Sequence, residues 1–283
     1  MAKQHPPTVV GRGLGGELRQ LRRASKLTGA AVARQLGWEP SKLSRMETGQ
    51  QGIRVEEAAA LLVVYGVIGE ERKRLLGMAE RARERGWWET YGTGLTPWSR
   101  TFIRLESEAT RLVNWEPLLV PGLLQIPEYT RAVMRACGVP ETDAQTRVAA
   151  RLARQAILTK DEPPELRVLV DETAVRRVLG GPQVMARQLR HLAEAAAAPN
   201  VTLQVVPFSA GAHTGLDGAF VVLDFARDPS VVHLEHKLSS AFLEEPEQVA
   251  VFRREADRLA ELALSPAKSV EFVARVATER ERE

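Results

Sequence analysis

The sequence holds a single cysteine, Cys137, among its 283 residues. One cysteine excludes an internal disulfide and any zinc or iron–sulfur site built on several cysteines, and it suits a protein of a reducing compartment. Because Cys137 follows the apolar face of a helical pattern, we expect its side chain to be buried and inert. The alternative for this residue is a redox sensor, which needs an accessible thiol.

Long apolar runs are also absent. No stretch of about 18 apolar residues occurs, which excludes a transmembrane helix, and residues 1–7 lack the apolar core of a secretory signal. Hydrophobic residues make up 44% of the chain and charged residues 27%, a balance typical of globular proteins. The chain is longer than one ordinary module, so we expect two domains in a cytoplasmic protein with no membrane partner.

Acidic residues are scarce in the first third of the chain. Of the 39 Lys and Arg and 36 Asp and Glu residues in total, residues 1–86 hold 16 and 9, which gives a net charge of +7. The remainder holds 23 basic and 27 acidic residues, a net charge of −4. This separation favours a polyanionic partner, such as double-stranded DNA, for the first third.

Apolar residues recur at helical spacing within residues 14–85, and this region predicts an all-α domain of five short helices. Thr28 suits the N-cap of the second helix, and Gly37 suits its end. Pro40 fits the first turn of the third helix, where its missing N–H costs nothing, and Gly49 fits the C-cap. The five helices are expected at about residues 14–23, 28–36, 40–49, 55–65 and 70–85.

Glycine, proline and aromatic residues interrupt the helical pattern at residues 87–97, which we assign as the boundary between a domain at 1–86 and a domain at 98–283. The boundary contains three clustered aromatic side chains that are too apolar for a free linker. We expect them to pack on an interdomain or dimer surface, and stacking on a base or ligand is the alternative. They are Trp87, Trp88 and Tyr91.

The second region predicts a mixed α/β (α+β) domain. Valine-rich runs bounded by glycine, proline, aspartate or asparagine indicate strands, and the last two are close enough for an antiparallel hairpin. The strands are expected at residues 166–170, 201–206, 219–225 and 231–235. The helices are expected near residues 99–114, 127–137, 143–160, 182–198, 246–263 and 268–280.

Residues 27–49 have the architecture of a helix-turn-helix, in which two short helices meet at a tight turn at Gly37. Ala33 is small enough for the two helices to approach, and the joint is filled by Leu36, Leu43 and Met46. In such a motif the first helix braces against phosphates, and the second lies in the major groove. The exposed residues of the second helix are expected to be Glu39, Ser41, Lys42, Ser44 and Arg45.

The stretch resembles the helix-turn-helix of phage repressors and xenobiotic-response-element regulators. The residues that carry the resemblance, over about 55 residues, are Val32-Ala33, Leu36-Gly37, the run from Lys42 to Glu47, and Gly49. The resemblance implies sequence-specific binding of double-stranded DNA. The base-reading positions that it implies are Pro40, Ser41 and Arg45, with Lys42 and Ser44 beside them. The positions that it places near phosphates are Thr28, Gly29, Thr48, Gln50 and Arg54.

Two residues depart from the family pattern. Gly29 stands where the family often places a phosphate-binding glutamine, and Pro40 replaces a hydrogen-bonding side chain of the reading helix. The resemblance also pairs Arg22 with Glu47 in an internal salt bridge, which gives Glu47 a structural role. Arg45 is suited to guanine, because its planar guanidinium donates two parallel hydrogen bonds to O6 and N7.

A second set of short motifs follows in order along residues 99–277. The set includes Glu106-Ser-Glu-Ala, Val120 to Ala132, Arg151-Leu-Ala-Arg-Gln, Pro199 to Pro207 and Ala263 to Ser269. These motifs resemble a C-terminal domain, long without an assigned function, that accompanies such helix-turn-helix domains in high-GC filamentous bacteria. The resemblance implies an antitoxin-like transcriptional regulator, a homodimer that is often encoded beside a small partner protein.

Residues able to carry chemistry occur in the second region without forming a catalytic constellation. His233 and His236 have a spacing that zinc sites use, but residues three apart in a strand point to opposite faces. Asp171 and Glu172 form either a paired-carboxylate site or a cap for the helix that starts near Thr173, and we expect the cap. We therefore predict no enzyme, no metal site and no cofactor.

These observations predict a sequence-specific regulator of transcription. One helix-turn-helix module buries only about 600–1,000 Å² on DNA, so we expect a homodimer on a pseudo-palindromic operator, controlled by a small partner protein through the second domain. Two alternatives stay open. One is an antitoxin-like interaction protein that binds DNA for autoregulation, and the other is a repressor that senses a small ligand in the second domain. We expect the protein to associate with the nucleoid when it is bound to DNA.

Overall fold

A computed structural model describes residues 9–48, 51–81, 95–237 and 239–283. The chain divides into two compact units, Met1–Glu89 and Thr90–Glu283. The first is helical, and the second combines a six-stranded mixed sheet with helices, which confirms the predicted fold class of an α domain followed by an α/β domain. Within the described ranges, no helix has the length and apolarity needed to cross a membrane.

The first unit contains five helices in its described part, as predicted from the sequence. They are α1 (Val9–Ala24), α2 (Gly29–Leu36), α3 (Pro40–Glu47), α4 (Val55–Val64) and α5 (Gly69–Arg81). Thr28 caps α2 by accepting a hydrogen bond from the Ala31 N–H, and Gly37 ends the helix at a φ of 66°, which glycine adopts without strain. Gly49, predicted as the cap of α3, lies outside the described residues.

The core of the first unit is formed by the apolar faces of its helices. Its fully buried members include Leu14, Leu18, Val32, Leu43, Met46, Leu61, Leu62 and Leu75. The helices α1 and α3 approach closely at Gly15, where an added Cβ would lie 2.3 Å from the carbonyl oxygen of Met46. The second helix of the helix-turn-helix, α3, therefore packs tightly against α1.

The second unit is built around one sheet with the strand order β3-β2-β1-β4-β5-β6. The strands are β1 (Arg111–Glu116), β2 (Glu165–Asp171), β3 (Val201–Val206), β4 (Phe220–Asp224), β5 (Val231–Glu235) and β6 (Ser240–Leu243). The pairs β1–β2 and β2–β3 are parallel, and the others are antiparallel, including the predicted β4–β5 hairpin. The helices are α6 (Pro97–Glu108), α7 (Pro127–Ala136), α8 (Glu141–Gln155), α9 (Glu172–Arg176), α10 (Pro182–Ala195), α11 (Pro246–Leu262) and α12 (Pro266–Glu281).

The predicted helix near residues 99–114 is wrong over residues 109–114. The helix α6 ends at Glu108, Ala109 is extended, and Arg111–Glu116 forms the central strand β1. This strand is paired on both sides and buried on both faces, so it lacks the alternation of apolar and polar residues that marks a half-buried strand. The four-residue edge strand β6 was also not predicted.

Cys137 is exposed, which corrects the expectation of a buried thiol. The residue is the C-cap of α7, and its N–H group donates to the Val133 carbonyl. Val133 and Met134 occupy the buried face of the last turn. The helix α7 ends at Ala136, one residue before Cys137. The helical periodicity inferred from the sequence therefore does not extend to Cys137, and its side chain is not buried.

Candidate nucleic-acid interface

The helix α3 turns one face into the core and the other to solvent. Leu43 and Met46 are fully buried against the first unit, and Val32 and Ala33 of α2 are buried at the same joint. Pro40 occupies the first turn of α3, as predicted. The solvent face carries the exposed residues Glu39, Pro40, Ser41, Ser44 and Arg45. An exposed helix held by its apolar face is the geometry that a base-reading helix needs.

Lys42 differs from its neighbours on α3 because it contacts the protein. Its Nζ lies 2.7 Å from Oε1 of Glu57 and 4.3 Å from the ring centre of Trp38. The other carboxylate oxygen of Glu57 accepts the N–H of Arg54 at 2.9 Å. Glu57 thus joins α3 to the start of α4. This role was not predicted from the sequence, where its signal is a lysine and a glutamate on adjacent short helices.

A second carboxylate fixes the other end of α3. Arg22 of α1 donates to both oxygens of Glu47, from Nε at 2.7 Å and from Nη2 at 2.8 Å, and its Nη1 donates to the Leu27 carbonyl at 2.9 Å. Glu47 is 8% exposed. Its hydrogen bonds raise the pKa of Arg22. The internal salt bridge that the family resemblance implied is therefore present and ties α1 to α3.

The residues predicted near phosphates lie at helix ends. Thr28 is exposed at the N-cap of α2, where its hydroxyl oxygen accepts the Ala31 N–H at 3.2 Å, and its own O–H has no acceptor in the described part of the chain. A helix N-terminus favours a phosphate because its first N–H groups are unpaired. Thr48 donates its O–H to the Ser44 carbonyl at 2.8 Å. Gln50 lies outside the described residues.

Two exposed arginines lie at this surface, Arg45 on α3 and Arg54 beside it. Arg45 is oriented by Gln51, whose Oε1 accepts a hydrogen bond from the arginine Nε at 3.2 Å. Arg54 is exposed at the N-cap of α4. In the described ranges, no carboxylate lies within 4.0 Å of the side-chain nitrogens of either residue. Both guanidinium groups are thus available to an external anion, Arg45 from α3 and Arg54 from the start of α4.

The chemical candidates of the second unit have structural partners. Asp171 caps α9 by accepting the Thr173 N–H at 2.7 Å, as predicted, and Glu172 pairs with Arg176. His233 is buried, stacks on Phe102 and lies 2.7 Å from the Ser240 hydroxyl. Burial lowers its pKa to about 3. Among the residues whose positions are described, no group of three or more His, Cys, Asp or Glu side chains could hold a metal ion.

Two family models match the chain. Residues 14–75 match a helix-turn-helix domain, and residues 99–275 match a domain of unknown function, DUF5753. No curated protein and no solved structure matches the sequence. The first match spans the described interface and indicates a DNA-binding regulator. The second match covers more than half of the chain, and the protein therefore belongs to the family that carries the DUF5753 domain.

Proposed function

We propose that the protein is a sequence-specific regulator of transcription that binds its operator as a homodimer and is controlled by a small partner protein through the second domain. The observation that carries this proposal is the solvent face of α3, which presents Ser41, Ser44 and Arg45 between two internal carboxylate anchors. Because the anchors fix α3 before DNA arrives, little ordering is needed on binding.

Base reading is assigned to α3, and phosphate binding is assigned to its flanks. Arg45 is the residue with the greatest capacity to discriminate bases, because its fork matches two acceptors of guanine. Thr28, at the N-terminus of α2, and Arg54, at the start of α4, contact phosphates on either side. Lys42 contributes its charge from behind the reading face, where Glu57 holds it.

The test of DNA binding is a salt titration with the DNA upstream of the protein's own gene and with a scrambled sequence. We expect Arg45→Ala to weaken binding to the specific DNA by about 1–3 kcal/mol and to affect scrambled DNA little. Arg54→Ala should weaken binding to both and reduce the salt slope by about 1. Lys73→Ala, an exposed lysine on α5 that pairs with Glu70, is the matched control.

The assignment of α3 fails if the Arg45 and Arg54 variants both bind the two DNAs as the parent does. If the parent binds both DNAs weakly and equally, the form that recognises the operator is instead the complex of the protein with its partner. The parent protein distinguishes the two DNAs in the first result and does not in the second, so one titration separates the two results.

Control by a partner is tested by co-expression with the product of a small neighbouring gene. We expect a complex of equal stoichiometry whose affinity for the operator differs from that of the protein alone. A complex that leaves operator affinity unchanged would favour the antitoxin-like role, in which partner binding is the main activity. The protein acts in both cases by binding and not by catalysis, in the cytoplasm and on the nucleoid.

A further inference from the structure

A cleft in the second unit lies between α6, α8 and the end of β5. Phe102 and Ile103 of α6 and Met134 of α7 form an apolar wall, and His233 and Glu235 of β5 lie at its polar side. The strands β1 and β5 are both antiparallel to β4, so their carboxyl ends lie at the same edge of the sheet. Crevices at the carboxyl ends of strands, where the connections change direction, are common ligand sites in α/β folds.

Three arginines of α8 line this cleft, namely Arg147, Arg151 and Arg154, and the last two differ in their partners. Arg154 is bound to both oxygens of Glu106, at 2.6 and 2.7 Å. Arg151 makes one hydrogen bond to protein, from Nη1 to Oε1 of Gln125 at 3.0 Å, and no carboxylate lies within 4.0 Å of it in the described residues. A guanidinium has five N–H donors. Arg151 therefore keeps most of its donor capacity at the cleft.

The guanidinium of Arg151 is held in place by a network around Gln125. The amide nitrogen of Gln125 donates to the Val120 carbonyl at 2.7 Å, and its oxygen also accepts the hydroxyl of Thr130 at 3.1 Å. Gln155 donates to the Gln125 carbonyl at 2.6 Å. Arg151 is half-buried, and this network orients its guanidinium without supplying a carboxylate counterion from the described residues, which leaves its charge available to a ligand.

The charges around Arg151 leave it positive at neutral pH. Burial and the nearby Arg154 lower the pKa of Arg151 to about 10, which still keeps it protonated. Glu106 is committed to Arg154. Glu235 is exposed to solvent, and burial raises the pKa of Glu116 to about 8, so that this carboxyl is mostly protonated. Arg151 therefore carries a positive charge that no carboxylate of the described residues pairs with at 4.0 Å or less.

We propose that this cleft is a binding site for a small monocarboxylate. The carboxylate pairs with the guanidinium of Arg151, which matches its planar geometry, and a short apolar group lies against Phe102, Ile103 and Met134. A phosphate dianion fits less well, because it would bring a second negative charge toward Glu235. Through this site a small molecule would control the regulator in addition to its protein partner. Ligand binding at this site does not depend on DNA binding.

The test is the thermal unfolding of the full chain in propionate and benzoate at constant ionic strength, with propionamide and benzamide as neutral isosteres. At ten times the Kd we expect a rise of about 3–6 °C in the Tm, growing with the logarithm of the concentration, with at least one carboxylate and none with its amide. Arg151→Gln should abolish the rise. Glu235→Gln should tighten binding several-fold, because it removes a negative charge from the rim, and the exposed Arg131→Gln on α7 should change nothing.

If Arg151→Gln does not fold, Arg151→Lys takes its place. We expect Arg151→Lys to bind the carboxylate at least about tenfold more weakly than the parent does, as measured by calorimetry. The proposal is overturned if no carboxylate raises the Tm above the value with its amide, if Arg151→Gln keeps the full shift, if Arg151→Lys binds as tightly as the parent, or if inorganic phosphate replaces the carboxylates as the ligand. The measurements contain no DNA, so their failure leaves the proposed regulator function untouched.

Discussion

At the residue scale, the buried carboxylate of Glu47 helps to fix the position of α3 against α1. Both of its oxygens are bound by Arg22, and the pair joins α1 to the end of α3. Breaking a buried pair by removing one partner costs more than the pair itself contributes, because an unpaired charge remains in the protein. The position of α3 therefore depends on a pair of residues, Arg22 and Glu47, outside its solvent face.

We expect Glu47→Ala to lower the free energy of unfolding of the first unit by about 2–4 kcal/mol, because Arg22 loses its counterion. Arg22→Met together with Glu47→Met should cost less than the two single changes added together. Urea unfolding followed by circular dichroism measures these values. Lys73→Ala, which breaks an exposed pair, should change stability by less than about 1 kcal/mol. A Glu47 variant as stable as this control would contradict a structural role.

Glu116 supplies a pH dependence of opposite sign to that of an ordinary surface carboxylate. Burial raises its pKa from 4.5 to about 8, with opposing effects from Arg151 and Arg154 and a reinforcing one from Glu235. Between these two pKa values the folded state holds a proton that the unfolded state has released. The stability that this proton gives is therefore present at low pH and is lost as the pH rises toward 8.

We expect the stability of the second unit, relative to that of a Glu116→Gln variant, to fall between about pH 5 and 8, by at most about 1.4 kcal/mol per pH unit. His233, whose pKa is lowered to about 3, acts in the opposite sense below pH 6.5, because acid protonates the unfolded chain first. Its contribution is shared by both proteins and cancels in the comparison. Parallel stability curves for the two proteins would show that Glu116 titrates normally.

At the scale of elements, the crossing of α1 and α3 decides where α3 lies. Gly15 and Gly16 are neighbours within α1, but only Gly15 faces α3 at a distance that leaves no room for a side chain. The sequence does not distinguish the two, because both lie in the same helical pattern. Their difference arises from the packing of a second helix.

The two glycines of α1 form a matched pair for testing this crossing. We expect Gly15→Ala to destabilise the first unit by about 1–3 kcal/mol, because its methyl group would meet the backbone of Met46. Gly16→Ala meets nothing within 4 Å and should stabilise the unit by about 0.5–1 kcal/mol through helix propensity. Thermal unfolding of both variants measures the difference. Equal effects would mean that α1 and α3 are further apart than described.

The start of α2 offers a change that should strengthen DNA binding. Gly29 has an ordinary φ, and the nearest atom to an added Cβ is a methyl carbon of Leu43 at 3.9 Å. A glutamine fits this space and would add an amide donor beside the unpaired N–H groups of the helix.

We therefore expect Gly29→Gln to raise the affinity for specific and scrambled DNA by a similar factor of about 3–10, since a phosphate contact carries no sequence information. Gly29→Ala, which fills the space without a donor, is the control. Fluorescence anisotropy with both DNAs provides the measurement. A gain confined to the specific DNA, or a gain equal to that of the alanine variant, would contradict a phosphate contact at this position.

At the scale of the whole molecule, the two compact units have separate roles in the function that we propose. The helix-turn-helix unit carries the net positive charge and the residues that we assign to DNA binding, and the DUF5753 unit contains the sheet and the cleft. A single small module gives limited specificity on DNA, which is the physical reason to expect two copies on one operator.

We expect a hydroxyl-radical footprint of the full chain on its operator to show two protected half-sites whose centres lie about one helical turn apart. Light scattering of the free protein and of the complex should give the mass of a dimer in the complex. Moving the half-sites apart by about five base pairs is the control, since it places them on opposite faces of the duplex and should remove most of the specific affinity. A single protected half-site and a monomer mass would contradict the dimer.

The sequence by itself determined the helix-turn-helix. Its apolar spacing, the capping Thr28 and the left-handed Gly37 are local features, and they specify α2, the turn and α3 with little help from the rest of the chain. The valine-rich strands of the second unit were predicted for the same reason, because local β-branched content and flanking turn residues mark them.

Only the tertiary structure decided the features that depend on distant partners. Arg111–Glu116 is a strand because β2 and β4 pair with it on both sides, although its own residues continue a helical pattern. Lys42 is held by Glu57 and Arg151 by Gln125, pairings that join residues 15 or more positions apart. Such pairings follow from the packing of whole elements, and short-range patterns in a sequence do not contain them.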